Sequence, residues 1–247
     1  MCGRYLIISN PEVFRQLFGY REQPNFPPRY NVAPTQPVPV VRVVEGVRQF
    51  ALLRWGLIPA WVKDPRTFSL LINARAESVN DKPAFKNAMK RRRCLFLADG
   101  FYEWKQEGAR KRVYVARPRH GGPIAFAGLW EAWIGPNGEE QETAAIVTTK
   151  ANRTLGALHD RMPVVVPPEA FDLWLDCVNV DAQTAAALLL PAPEDFFAAY
   201  EVSPAVNRVA NDDAALLQPA TAQSTAAATP AKPAKKRKAD ERQSSLF

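Results

Sequence analysis

Seven short runs of strand-favouring residues, none longer than eight, constrain the fold of this chain more than any other feature. They are PVPVVRVV (37 to 44), QFALLRW (49 to 55), RCLFLADG (93 to 100), RVYVAR (112 to 117), PIAFAGLW (123 to 130), TAAIVTT (143 to 149) and MPVVV (162 to 166). Runs of this length, rich in β-branched and aromatic residues and bounded by Gly, Pro, Asn or Asp, read as strands joined by tight connections. Helices are signalled at 11 to 18, where Asn10 can cap and Pro11 suits the first turn, and at 83 to 92 after Asp81. Two more are signalled at 168 to 176 after Pro167 and at 181 to 190 after Asp181. The order predicts an α+β fold, a single domain with a curved, mostly antiparallel, barrel-like β-sheet and peripheral helices. There is no internal repeat.

Composition changes near residue 217. From 218 to 247 the chain is rich in Ala, Pro, Ser, Thr and Lys and holds six Lys or Arg against two acids, a net of +4. Such a segment cannot bury enough apolar surface to offset the entropy of ordering, so it reads as a disordered basic tail after a domain spanning 1 to 217. Of the total charge of +7, the domain keeps only 26 minus 23, or +3, so an anion site there must arise from local clustering. No apolar run approaches the roughly 20 residues of a membrane span, and the start is too short in apolar residues for a secretory signal. Cys2, Cys94 and Cys177 cannot all pair with one another and none lies in a zinc-type couplet, which points to a reduced, cytoplasmic compartment. With only His120 and His159 besides, no metal and no cofactor is expected.

Cys2 directly follows the initiator Met1, which is normally removable before a small residue. A terminal cysteine then offers an amine with a pKa of about 8 and a thiol with a pKa of about 8.5 on adjacent carbons. The amine can condense with an aldehyde to a Schiff base, and the thiol can close on the imine carbon to a five-membered thiazolidine. An internal cysteine cannot do this. Position alone favours chance; the surrounding strings reverse that. They are MCGRY (1 to 5), RYNVAPTQ (29 to 36), WGLIPAW (55 to 61), INARAES (72 to 78), ADGFYEW (98 to 104) and ALHDRMPV (157 to 164).

In that order, and from residue 1 to about 218, these strings closely resemble the SRAP family, named for the SOS response and for a peptidase activity. The resemblance implies covalent capture of abasic sites in single-stranded DNA, protecting the lesion in the DNA damage response. It implies Cys2 as nucleophile, Asn73 as the amide that steadies the crosslink, Glu103 as acid or base, and His159 as a polar catalytic partner. It also assigns Arg4, Arg75, Arg153 and Arg161, with Thr148 and Thr149, to the DNA backbone, and Trp61 with Pro34 to a wedge supporting a kinked strand. Val62 departs from relatives that carry a second aromatic after that Trp, which leaves the strand geometry open. Read singly, Glu103 is equally a surface carboxylate at a strand end, His159 a structural histidine, Asn73 a turn residue and Trp61 a core residue.

At the end of the sequence, Gln243, Leu246 and Phe247 in QSSLF resemble the short peptide by which bacterial repair proteins dock to the DNA sliding clamp. The expected partners are therefore abasic single-stranded DNA and the clamp, for a monomer with no membrane contact, nucleoid-associated when bound to DNA. Two other functions stay open. One is a cysteine peptidase or amidohydrolase with Cys2 as nucleophile, whose narrowest form acts only on Met1; the other is a non-covalent module for single-stranded DNA or modified bases.

Overall fold

The computed structural model describes residues 2–221. Met1 and the tail positions Gln243, Leu246 and Phe247 lie outside the described residues.

Among the described residues, thirteen strands and five short helices follow in chain order. The strands are β1 (Tyr5–Ile7), β2 (Arg29–Val32), β3 (Pro37–Val44), β4 (Val47–Trp55), β5 (Asn73–Arg75), β6 (Arg93–Ala98), β7 (Gly100–Glu107), β8 (Arg110–Pro118), β9 (Ile124–Ile134), β10 (Glu140–Lys150), β11 (Arg161–Pro163), β12 (Val165–Val166) and β13 (Phe197–Val202). The helices are α1 (Pro11–Phe18), α2 (Lys86–Arg91), α3 (Arg153–Gly156), α4 (Phe171–Leu175) and α5 (Ala182–Ala186). No helix among the described residues is long and apolar enough to cross a membrane.

Five strands close into a barrel. β4, β3, β6, β9 and β10 are antiparallel neighbours in that order, and β10 returns to β4 through two parallel pairs, Thr143↔Arg54 and Ala144↔Trp55. The β3–β4 hairpin turns on Glu45 and Gly46, both at positive φ (51° and 76°), the conformation that two-residue hairpins need for their twist to match the strands. β5 and β11 extend β10, and β12 extends β9. A second sheet, in the order β13-β8-β7-β1-β2, packs on the barrel. Its Tyr5 ring enters the barrel core edge-on to Trp55, Phe96 and Phe126, at 5.3, 6.4 and 6.3 Å between centroids. The α+β, barrel-like fold read from the sequence is the fold observed.

The run at 93 to 100 is two strands. Asp99 and Gly100 bend the chain out of the barrel and into the second sheet. The buried Asp99 carboxylate accepts from Ile8 N (2.5 Å), Ser9 N (2.9 Å) and the Ser9 hydroxyl, tying the bend to the end of β1. Gly100 has a φ of +155°, and a Cβ there would stand 2.6 Å from Ala116 O, so a side chain is excluded on both counts. The bend is what puts GFYEWKQE beside the amino-terminal strand.

Helix α1 forms where expected, with Asn10 Oδ1 accepting from Glu12 N, Pro11 in the first turn and Gly19 in the left-handed conformation closing the end. The segment expected as a helix from 83 begins only at Lys86 and has no side-chain cap; the preceding residues form hydrogen-bonded turns through Lys82 and Phe85. The helix expected at 168 to 176 opens as a 3-10 turn over Pro168–Ala170 before α4. Backbone pairing runs on through Ala220, whose N–H donates to Glu201 O at 2.9 Å.

Candidate active site and nucleic-acid interface

Cys2 enters β1, which pairs antiparallel with β7 in the register Tyr5↔Phe101 and Leu6↔Gly100. Tyr102 N donates to Arg4 O at 3.0 Å, and the same register continued sets Glu103 opposite Gly3, beside Cys2. From the barrel side, Asn73 at the head of β5 donates its Nδ2 to Cys2 O at 2.9 Å. Asn73 is carried there by the parallel pairing of β5 on β10, Ile146↔Asn73. Its Oδ1 is buried and has no hydrogen-bond partner among the described residues.

His159 follows α3, a single turn capped by Asn152 Oδ1 on Leu155 N (2.9 Å). Its Nδ1 accepts from Arg161 N at 3.0 Å, while Asp160 Oδ1 stands 2.8 Å from the same nitrogen. One nitrogen cannot serve both as acceptor and as donor. The Arg161 amide is a fixed donor, whereas the Asp160 carboxylate is 85 % exposed and can turn to water, so Nδ1 is the acceptor. In the neutral ring the proton then sits on Nε2.

Burial raises the pKa of Glu103, with His159 close enough to oppose the shift. Burial also pushes the Cys2 thiol far up, and the Glu103 charge adds to it. Glu103 therefore lies within electrostatic reach of both Cys2 and His159. Cys2 itself is fully buried, its Sγ 3.9 Å from Arg4 O.

The expected DNA residues divide by exposure. Trp61 is 57 % exposed and stands edge-on to Phe68 at 5.5 Å, at the tip of an excursion closed by the bridge Leu57↔Leu71 just ahead of Asn73. Val62 is buried against Trp133, whose Nε1 donates to Val62 O at 2.6 Å, so the departure from the aromatic pair anchors the excursion from beneath. Arg75 and Arg153 are exposed and Pro34 is half-buried. Thr148 and Thr149 are buried. Arg161 is also buried, its guanidinium held by Glu77 (2.6 Å) and by Thr148 O (2.5 Å). Arg4 spends its guanidinium on Asn31 Oδ1 (2.7 Å) and Val206 O (2.8 Å). Thus Asn73, Arg75, Thr148, Thr149 and Arg161 share three neighbouring strands, while Arg4 faces the segment after β13.

Several residues that order the site were not singled out by sequence. Asn31 accepts from Arg4 and donates to Val206, Arg208 and Asn211 carbonyls, and Asp212 accepts from the Asn31 and Tyr30 amides, so RYN clamps the 206 to 212 segment. Trp55 Nε1 donates to Ile72 O at 2.9 Å and steadies the approach to Asn73. Glu77, in INARAES, pairs with Arg161 of the HDR string, a contact that nothing in the sequence signalled. Among the described residues no three His, Cys, Asp or Glu side chains are grouped as a metal centre requires.

Comparison with known proteins adds to this geometry. A sequence model of the family described as SOS response associated peptidase (SRAP) matches residues 1–209. The chain is 36 % identical over 222 residues to the abasic site processing protein YoqW of Bacillus subtilis, covering 88 % of this chain and 99 % of that one. It is 31 % identical to the abasic site processing protein HMCES of Gallus gallus, covering 89 % of this chain and 78 % of the relative. A solved protein of Bacteroides thetaiotaomicron has the same fold, with a TM-score of 0.80 at 25 % identity, covering 89 % of this chain and all of that one.

Proposed function

Because the chain belongs to the SRAP family, we propose that it processes abasic sites in DNA, and that it does so by condensing Cys2 with the aldehyde of the opened deoxyribose. The observation that carries this reading is the meeting of Cys2, Asn73 and Glu103 at the end of β1, with His159 in reach of Glu103.

Once Met1 is removed, the α-amine of Cys2 attacks the sugar carbonyl and the resulting hydroxyl leaves as water, giving a Schiff base. The thiol then adds across the C=N bond. A sulfur–carbon bond forms, the thiol proton ends on nitrogen, and the thiazolidine closes with no oxidant or reductant. Glu103, protonated over a wider pH range because it is buried, donates the proton that lets the hydroxyl leave. His159 supplies its Nε2 proton to the ring oxygen as the sugar opens. Asn73 orients the Cys2 carbonyl, and its open Oδ1 is an acceptor for the adduct. Amine first and thiol second follows from burial, which keeps sulfur protonated. A cysteine peptidase needs the thiolate; the same burial opposes it, which weakens the peptidase alternative.

In this reading Arg75 and Arg153 meet phosphates and Trp61 with Pro34 supports the kinked strand. Arg4 and Arg161 act chiefly through the backbone they hold, together with Thr148 and Thr149. The clamp contact through Gln243, Leu246 and Phe247 belongs to the same proposal.

The test is a crosslinking assay with an abasic oligonucleotide. The trimmed protein should give a heat-resistant shifted band and Cys2→Ala none, with Asn73→Ala, Glu103→Gln and His159→Ala giving weaker bands. An equal band from Cys2→Ala, or purely salt-reversible binding without preference for abasic DNA, overturns the proposal.

A further inference from the structure

Beside the reactive centre lies a pocket of about 290 Å³ that the chemistry above does not use, between α3 and the outer edge of the second sheet. Tyr114, Arg119, Thr154, Leu158 and Ala199 line it. Its place is set by register. Tyr114 on β8 is the direct cross-strand partner of Glu103 on β7, a spacing of about 5 Å between Cβ atoms. Leu158 immediately precedes His159. On the β13 side its wall is formed by Phe197, Ala198 and Ala199.

We infer that this pocket receives the base of a nucleotide next to the abasic sugar, stacked against Tyr114, with Arg119 toward the neighbouring phosphate. The inference rests on the function proposed above and adds a subsite to it. The abasic residue brings no base of its own, so the base nearest the lesion must come from its neighbour. Because Tyr114 is the cross-strand neighbour of Glu103 and Leu158 precedes His159, the pocket opens next to the residues proposed to hold that sugar. An aromatic wall with an adjacent cation is the pairing by which single strands are held without sequence readout. Thr154 gives its hydroxyl proton to Glu194 O (2.7 Å), and Arg119 uses its Nε on Asp195 O (3.1 Å). Neither bond occupies the Tyr114 ring. The Arg112 guanidinium stands 6.0 Å from the centre of that ring and is held by Glu201 and Glu107.

The test measures binding by fluorescence anisotropy with oligonucleotides whose lesion is the unreactive tetrahydrofuran analogue, so that no covalent step is needed. In a second set the nucleotide on the 5′ or the 3′ side of the lesion is also replaced by tetrahydrofuran and so has no base. Wild-type protein should lose about tenfold in affinity on removal of the base from one side, the scale of one stacked base. Tyr114→Ala should lose a similar factor on the normal strand and nothing further when that base is missing. Tyr114→Phe should behave as wild type, and Ala199→Leu, which fills the pocket, as Tyr114→Ala. Additive losses from variant and missing base, or wild-type affinity unchanged by base removal on either side, overturn the inference. Absence of an adduct with reactive abasic DNA would instead defeat the functional proposal, leaving the anisotropy result to decide the pocket.

Discussion

Glu103 is where chemistry and stability pull against each other. Burial raises its pKa in the folded protein, so the folded state holds the proton more tightly than the unfolded chain does. That preference stabilises fully below the ordinary carboxylate value of about 4.3 and is lost as pH rises through the raised folded value. Near neutral pH the folded protein therefore carries a penalty that an amide lacks. Glu103→Gln is expected to melt higher than wild type at about pH 7, with the difference closing toward about pH 4, while adduct formation slows about 100-fold. Thermal melts across that range check the first part and crosslinking rates the second. A shift of the same size at every pH would remove the carboxyl as its cause. At this scale the proposed nucleophile was legible because a terminal cysteine has chemistry no other residue shares. The states of the arginines were not. Arg161 is 8 % exposed and its ion-pair partner Glu77 lies 84 positions away. Thr35, at φ 73°, occupies a conformation a β-branched residue rarely adopts, held there by its N–H on Trp55 O (2.7 Å).

Among the elements, two short helices, α2 and α4, share one side chain. Arg93, on β6 and almost wholly buried, donates to Met89 O in α2, Trp174 O in α4, and Asp176 O and Val180 O beyond it. It satisfies carbonyls that helices of five or six residues leave open at their ends. Lys has one nitrogen and no planar fork, so Arg93→Lys leaves carbonyls unpaired and a buried ammonium poorly solvated. The expected cost is roughly 3 kcal/mol, read as a lower urea midpoint with unchanged slope. A loss under about 1 kcal/mol would mean that water replaces the guanidinium. Elements with strong local patterns were legible: 37 to 44 and 11 to 18 form over the expected residues. β1 and β5, three residues each, were not, since neither has an alternation long enough to read and both are made by pairing with distant partners; the run at 162 to 166, read as one strand, forms two, β11 on β10 and β12 on β9. The strand carrying Glu103 was hidden because the run at 93 to 100 crosses the bend at Asp99 and Gly100 unbroken in hydrophobicity.

For the whole molecule, the barrel is closed and tightly filled. A Cβ on Gly128 would meet Phe96 Cδ2 at 2.5 Å and Cys94 Sγ at 2.8 Å. The proposed capture of the lesion places its residues in this domain, and the proposed clamp contact lies in the segment beyond it. Full-length protein should bind purified sliding clamp in a calorimetric titration, and Leu246→Ala with Phe247→Ala should abolish that binding without changing the adduct yield. Failure of the intact chain to bind ends the clamp assignment. By itself the sequence determined the α+β class and the barrel-like sheet, because strand preference is a local property; the proposed site residues were named through the resemblance of the ordered strings, not through any one residue. Tertiary structure alone decided that β10 closes on β4 through two residue pairs and that the chain leaves the barrel at Gly100. It also decided that Asn73 and Glu103 reach Cys2 from opposite sheets. These follow from register and close packing between segments far apart in the chain, where a one-residue slip would turn each side chain to the other face.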